Sequence, residues 1–148
     1  MLSAVLPVKA QTTDNEYAYM MDAVRHMKEI VLQQKNAQTT RTTLSHINNA
    51  KPLLKDDIYI GHQIVHGLTV KGFIGVSYQQ NKASIAVFST PPLRVRHATK
   101  AYKAYRKLLL EQYKEIKHNK FDLGNEIVAQ LQKKARKVSI DVYRKKTD

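Results

Sequence analysis

The sequence lacks cysteine and tryptophan and contains few glycines and prolines. Without cysteine there can be no disulfide framework, no thiolate metal site and no cysteine nucleophile. No window approaches about 18 uninterrupted apolar residues, which excludes a membrane-spanning helix. The glycines match neither a P-loop nor a dinucleotide fingerprint, and no serine-hydrolase motif is present. These absences favour a binding protein over an enzyme.

The length of 148 residues, 43% of them apolar, suits one folded domain with a sizeable core. We predict an N-terminal arm over residues 1–12, a single domain over 13–143 and a basic tail over 144–148. The opening MLSAVLPVKAQ has some features of a signal-peptide remnant, although its apolar run is short and no positive segment precedes it. A cytoplasmic, intracellular location fits the absence of cysteine.

Positive charge is the largest departure from average composition, with a net charge of +13. The excess is uneven, because residues 1–90 hold 9 basic against 6 acidic residues, whereas residues 91–148 hold 16 against 6. The C-terminal portion therefore carries most of the positive field. A concentrated basic surface is typical of proteins that bind a polyanion.

Residues Arg94–Lys117 read as one amphipathic helix whose faces differ in chemistry. Apolar side chains share one arc with Tyr102, Tyr105 and Tyr113, which predicts that these tyrosines belong to the core and do not stack on bases. The neighbouring arc is basic: Arg96, Lys100, Lys103, Arg106, Lys107, Lys114 and Lys117. Successive basic residues lie one or two turns apart, a spacing that can follow consecutive phosphates.

Two further helices are predicted in the first third of the chain. A capping box at residues 13–16 starts the first, and apolar residues at three- and four-residue steps continue it to about Gln34. The methionines on this apolar stripe are expected in the core. Gln38–Thr43 is polar and predicts a connection, followed by a short helix over Thr43–Lys51 that Pro52 ends.

From Ile58 the apolar period changes to two, and β-branched residues with four glycines predict strands. We predict a hairpin that joins Leu68–Tyr78 to Ala83–Ser89, and a last helix from Asp122 to about Lys134. A final strand follows, in which alternate residues are apolar: Val138, Ile140 and Val142 alternate with Ser139, Asp141 and Tyr143. The fold class is therefore α+β, with a small antiparallel sheet, made of the central hairpin and the C-terminal strand, packed against amphipathic helices.

Catalytic and metal-binding patterns are sparse. His62 and His66 have metal-ligand spacing only on a helix, and their neighbours favour a strand. A metal-independent ribonuclease would have only His66, His97 and Arg94 to use, and the same group is typical of a passive phosphate site. We therefore predict no catalytic residue, no metal and no cofactor.

The pattern predicts a small basic protein that binds RNA or DNA as a non-catalytic accessory or structural subunit. The predicted contacts lie on the basic helix face, at the end of the last helix and in the tail: Arg94, Arg96, Lys100, Lys103, Arg106, Lys107, Lys114, Lys117, Arg136, Lys137, Arg144 and Lys145. The alternative is a protein-assembly or oligomeric module, such as a phage or secretion component, whose basic face meets an acidic protein partner. Its interface would be the first helix, with Met20, Met27 and Val31 partly exposed. The choice between RNA and DNA stays open.

Overall fold

The computed structural model of the chain describes residues 18–45, 51–52, 58–65 and 68–146, with side chains described over 20–44 and 72–146. The predicted α+β class is confirmed. The helices are α1 (Ala18–Leu32), α2 (Ala37–Ser45) and α3 (Val95–Gln112). The strands are β1 (Lys51–Pro52), β2 (Ile58–Val65), β3 (Leu68–Gln79), β4 (Lys82–Ser89), β5 (Lys114–Lys117), β6 (Lys120–Gly124), β7 (Ile127–Lys134) and β8 (Lys137–Arg144). The predicted arm and signal-peptide remnant lie outside the described residues.

All eight strands form one sheet in the order β1-β2-β3-β4-β8-β7-β6-β5, and every neighbouring pair is antiparallel. Both the β3–β4 hairpin and the pairing of the C-terminal strand with it are confirmed. The sheet is larger than predicted because β1 and β2 extend it beyond β3, and β5, β6 and β7 extend it beyond β8. It thus consists of two meanders, β1–β4 and β5–β8, joined by the β4–β8 pair.

One face of the sheet holds the core. Phe88, Ile140 and Leu131 are aligned across β4, β8 and β7 and are fully or almost fully buried against α1 and α3. The other face carries the alternate residues of the same strands, and we call it the outer face. On it, Tyr143 of β8 lies between Ile85 of β4 and Val128 of β7. The outer face is thus set by the two-residue period of the strands.

Helix α1 confirms the predicted amphipathic stripe, and its start at the capping box lies outside the described residues. Met20, Met27 and Val31 are buried in the core cluster. Burial of this stripe against the sheet contradicts the assembly interface that would expose these residues. The Met-rich helix face is a core face.

The second helix was predicted about six residues too late. The segment Gln38–Thr43, predicted as a connection, lies inside α2. Its start is fixed by Asn36, whose side-chain oxygen accepts from the amide of Thr39 at 2.9 Å, so that Asn36 acts as a cap. Thr40, Thr43 and Leu44 form its buried side, and threonine therefore supplies packing here that an apolar pattern does not detect.

The basic helix is shorter than predicted. It ends at Gln112, and Tyr113 takes an extended backbone conformation, so Lys114–Lys117 is strand β5 and not a further turn of helix. The cause is the pairing of Lys114 and Glu115 with Asp122 and Phe121 of β6. Tertiary pairing overrides the helical periodicity of this segment.

The predicted last helix, Asp122 to Lys134, is wrong, since this segment forms β6 and β7. A turn at Asn125 and Glu126 divides it, with φ values of 57° and 65°. Two consecutive positive φ values define a type I′ hairpin turn, which Asn tolerates well. Ile127, Ala129 and Leu131 then alternate into the core, a pattern that also fits part of a helical stripe.

Candidate nucleic-acid interface

A row of cationic side chains runs along the solvent side of α3. Its members are Arg96, Lys100, Lys103 and Lys107, all exposed, and we call them the α3 row. Steps of four, three and four residues keep the row on one face, with an axial rise of about 4.5–6 Å between neighbours. Within the part of the chain that the structure describes, Arg96, Lys103 and Lys107 have no ion-pair partner.

The row begins at the N-terminal end of α3, where further cations collect. The amide of Leu93 donates to the carbonyl of Arg136 at 2.9 Å, which fixes the β7–β8 turn beside the start of the helix. Arg94, Arg136 and Lys137, all exposed, therefore lie at the same end of the molecule as Arg96. The first turn of α3 contains no acidic residue, and Arg94 at the N-cap position makes no capping hydrogen bond with its side chain.

Cations at this end are unfavourable to the helix itself. A helix N-terminus carries a partial positive charge, and a cation there costs roughly 0.3–1 kcal/mol where an anion would be stabilising. The arginines at the start of α3 therefore do not serve helix stability. An anionic partner would remove this repulsion.

Arg106 has a structural role and is not a member of the α3 row. Its guanidinium binds both carboxylate oxygens of Glu115, at 2.6 and 3.0 Å, and donates to the side-chain oxygen of Asn119 at 3.1 Å. Glu115 also accepts from the backbone amide of Asn119 at 2.7 Å, and Asn119 donates to the hydroxyl of Tyr102 at 2.7 Å. The hydrogen bond from Arg106 and the one from Asn119 lower the pKa of Glu115 to about 2. This network ties the β5–β6 hairpin to α3.

The remaining predicted contacts are divided between other elements. Lys114 and Lys117 lie on the edge strand β5, and Arg144 lies at the end of β8, where it donates to the carbonyl of Leu32 at 3.2 Å. The cation offsets the partial negative charge at the C-terminal end of α1, so Arg144 has a structural role. The amide of Lys145 donates to the carbonyl of Glu126 at 2.7 Å, so the predicted tail is still attached to the fold at this residue.

Tyr102 and Tyr105 of α3 and Tyr113 at its C-cap contribute to the core. Tyr105 is fully buried and meets Phe88 edge-to-face at 6.0 Å between ring centroids, while Tyr102 and Tyr113 pack against the core cluster. His97 is also buried, at 7% exposure, which removes it from the hypothetical ribonuclease group. His66, the other histidine of that group, lies outside the described residues.

A second basic site, which the sequence pattern did not predict, lies on the outer face of the sheet. Lys120, whose ammonium nitrogen is 5.9 Å from the ring centroid of Tyr143, is its centre. The alternation over 138–143 already put Tyr143 on the side opposite Val142. The sequence did not place Lys120 beside Tyr143, because the predicted helix from Asp122 leaves no strand β6 on which Lys120 could lie.

No known protein family matches this chain, and neither do the curated proteins nor the solved structures compared with it. In the described ranges, no helix has the length and apolar character needed to cross a membrane. Nor do the described residues bring together three or more His, Cys, Asp or Glu side chains that could hold a metal ion.

Proposed function

We propose that this chain is a non-catalytic nucleic-acid-binding protein that holds the sugar-phosphate backbone of RNA or DNA along the α3 row. The observation that carries the proposal is the exposure of four cations in a single line on one helix. The row is about 17 Å long at 1.5 Å per residue, which spans several phosphates of one strand. An accessory or structural subunit of a larger nucleoprotein complex is the role we favour.

Electrostatics would provide most of the affinity. The chain carries a net charge of +13, and the row continues into the cations at the N-terminal end of α3. Lysines act as point charges on phosphates and carry no sequence information, whereas Arg96 can also form a bidentate contact. The proposed binding is therefore dependent on salt and tolerant of sequence.

The test is a double charge reversal, Lys103→Glu with Lys107→Glu. We expect it to weaken binding of a 12-nucleotide single strand at least tenfold, because two favourable phosphate contacts become repulsive. The measurement is fluorescence anisotropy at two salt concentrations, with circular dichroism to verify the fold. Lys82→Glu with Lys133→Glu is the matched control, since it makes the same change in net charge at exposed positions outside α3. Equal loss in both variants would reduce the proposal to a nonspecific charge effect and contradict it.

A second candidate is an acidic protein partner on the same helix. Leu110 is 45% exposed and lines a shallow depression with Lys103, Arg106, Lys107 and Glu111. An apolar side chain among lysines suits a protein surface better than a phosphate backbone. Light scattering after size-exclusion chromatography discriminates a homo-oligomer, and a monomer that fails to bind any oligonucleotide would favour a separate acidic partner.

A further inference from the structure

The outer face of the sheet contains a cleft of about 630 Å³ that combines cations with an apolar floor. The cations are Lys117, Lys120, Lys145 and Lys146. They come from the β5–β6 hairpin and from the segment after β8, two parts of the chain that β7 separates in the sheet. We call this site the outer cleft.

The floor of the outer cleft is made by Ile116, Val128 and Tyr143. Val128 is 1% exposed, yet it lies on the face of the sheet opposite the core. Tyr143 is aligned with Val128 across β7 and β8, and its hydroxyl donates to the side-chain oxygen of Gln130 at 3.0 Å. This bond fixes the orientation of the ring in a partly exposed position.

The charges of the cleft are not compensated by its walls. All of the described residues that line it are lysine, apolar or tyrosine, and none of the four lysines forms an ion pair within the described ranges. The nearest acid in the register, Asp122 opposite Val128, accepts from the amide of Gly124 at 2.8 Å and so faces its own turn. Several ammonium groups that no acid of the lining neutralises favour an anion with more than one charge.

The ring of Tyr143 adds a requirement that phosphate alone does not meet. Lys120 lies over it at the outer limit of a cation–π contact, and the ring lines the cleft in a partly exposed position. A planar apolar group stacked on this ring would also meet Ile116 in the wall of the cleft. A ligand with phosphates on one side and a flat ring on the other is a nucleoside phosphate.

We propose that the outer cleft binds one nucleotide, with the base against Tyr143 and the phosphates between the lysines. The ligand is either a free nucleotide or one unpaired unit of the strand held by the α3 row, and in the second case the inference rests on the proposed function. The chemistry of recognition is the same for both sources. The experiment has to distinguish them.

Binding of adenosine diphosphate, inorganic pyrophosphate and a 12-nucleotide oligodeoxyadenylate to the full chain is measured by titration calorimetry. We expect adenosine diphosphate to bind more tightly than pyrophosphate, and Tyr143→Ser to weaken it on the order of 10- to 100-fold, the effect of losing one base–aromatic stack. Tyr143→Phe retains the ring but loses its hydrogen bond to Gln130, and it should weaken binding much less than Tyr143→Ser does. Lys145→Glu with Lys146→Glu, beyond the last strand, gives a second variant whose fold is not at risk and should also weaken binding.

The outcomes separate this site from the α3 row. If Tyr143→Ser also weakens binding of the oligonucleotide, the cleft binds one unit of the strand. If it weakens only the binding of adenosine diphosphate, the ligand is a free nucleotide. Lys103→Glu with Lys107→Glu should leave adenosine diphosphate binding unchanged. The proposal for the α3 row can therefore be contradicted while the proposal for the outer cleft stands. Equal binding of pyrophosphate and adenosine diphosphate, or no effect of Tyr143→Ser in a folded protein, overturns the proposal.

Discussion

At the scale of single residues, Arg106 shows how a basic side chain is removed from a binding surface. It lies one residue from Lys107, but its guanidinium is occupied by Glu115 and Asn119 and lies 6.0 Å from the ring centroid of Phe121. Hydrogen bonding to Glu115 is also the largest cause of its raised pKa. We therefore expect a substitution of Arg106 to disturb the β5–β6 hairpin more than the binding of a ligand.

The same ion pair predicts a pH dependence of stability. The pKa of Glu115 is about 2 in the folded state against 4.5 ordinarily, so between these values the unfolded chain binds a proton that the folded chain does not. The contribution of Glu115 is therefore complete above about pH 4.5 and is lost as the pH falls towards 2. We expect Glu115→Gln to flatten the decline of the unfolding free energy over this range in urea titrations. Glu111→Gln, an exposed carboxylate on the same helix, is the control. An equally steep decline in Glu115→Gln would contradict the ion pair as its cause.

At the scale of elements, tight turns determine where the second half of the chain folds back. The hairpins β3–β4 and β6–β7 each have two residues of positive φ, at Gln80 and Asn81 and at Asn125 and Glu126. The β7–β8 turn differs, because only its first residue, Ala135, has a positive φ, of 53°. That pattern is typical of a type II′ turn, whose first position favours glycine.

Ala135→Gly should therefore stabilise the protein. A positive φ costs an alanine roughly 1 kcal/mol through its Cβ, and glycine avoids this cost, although it is more flexible when unfolded. We expect a net gain of about 0.5–1 kcal/mol in the free energy of unfolding, measured in urea. Ala104→Gly, inside α3, is the opposite control and should destabilise by about 1 kcal/mol. A loss of stability in Ala135→Gly would mean that this turn is not under strain.

These turns also explain how far the sequence could predict the fold. The β3–β4 hairpin and β8 were predicted because alternation and a polar turn coincided there. Between Asp122 and Lys134, the residues Leu123, Ile127 and Leu131 recur every four positions, which fits a helix and a hairpin equally. The Gly124-Asn125 pair was the signal that could have decided between them, since it favours a turn with positive φ.

The binding residues were predictable to a similar extent. The α3 row could be read from helical spacing alone, because all four members lie within one helix. The outer cleft could not, since Lys117 and Lys145 become neighbours only through the register of β5, β6, β7 and β8. Long-range pairing of this kind leaves no local pattern in the chain.

At the scale of the whole molecule, the positive charge is divided between two surfaces. The α3 row lies on the helical layer, and the outer cleft lies on the opposite side of the sheet. The edge strand β5 lies between them, with Glu115 directed to the helix and Lys117 to the cleft. The two surfaces can therefore be altered independently.

This division predicts how salt should affect each site. Each phosphate contact with a single strand contributes about 0.7 to the slope of log K against log salt concentration. Lys103→Gln with Lys107→Gln should make the slope for a 12-nucleotide strand shallower by about 1.4. The slope is measured by anisotropy from low to physiological salt, with Lys82→Gln and Lys133→Gln as a control that keeps the slope of the unaltered chain. An unchanged slope in the α3 variant would show that the row contacts no phosphate.

The β4–β8 pair, which joins the two meanders, has a consequence for how the chain reaches its folded state. Thr90 accepts from the amide of Val138 across 48 residues of sequence, so this junction forms only after a long loop has closed. Until then each meander has an open edge, at β4 and at β8, whose backbone groups can pair with another chain. We therefore expect chains that stall before closure to aggregate, and conditions that speed the β4–β8 docking to raise the yield of refolding.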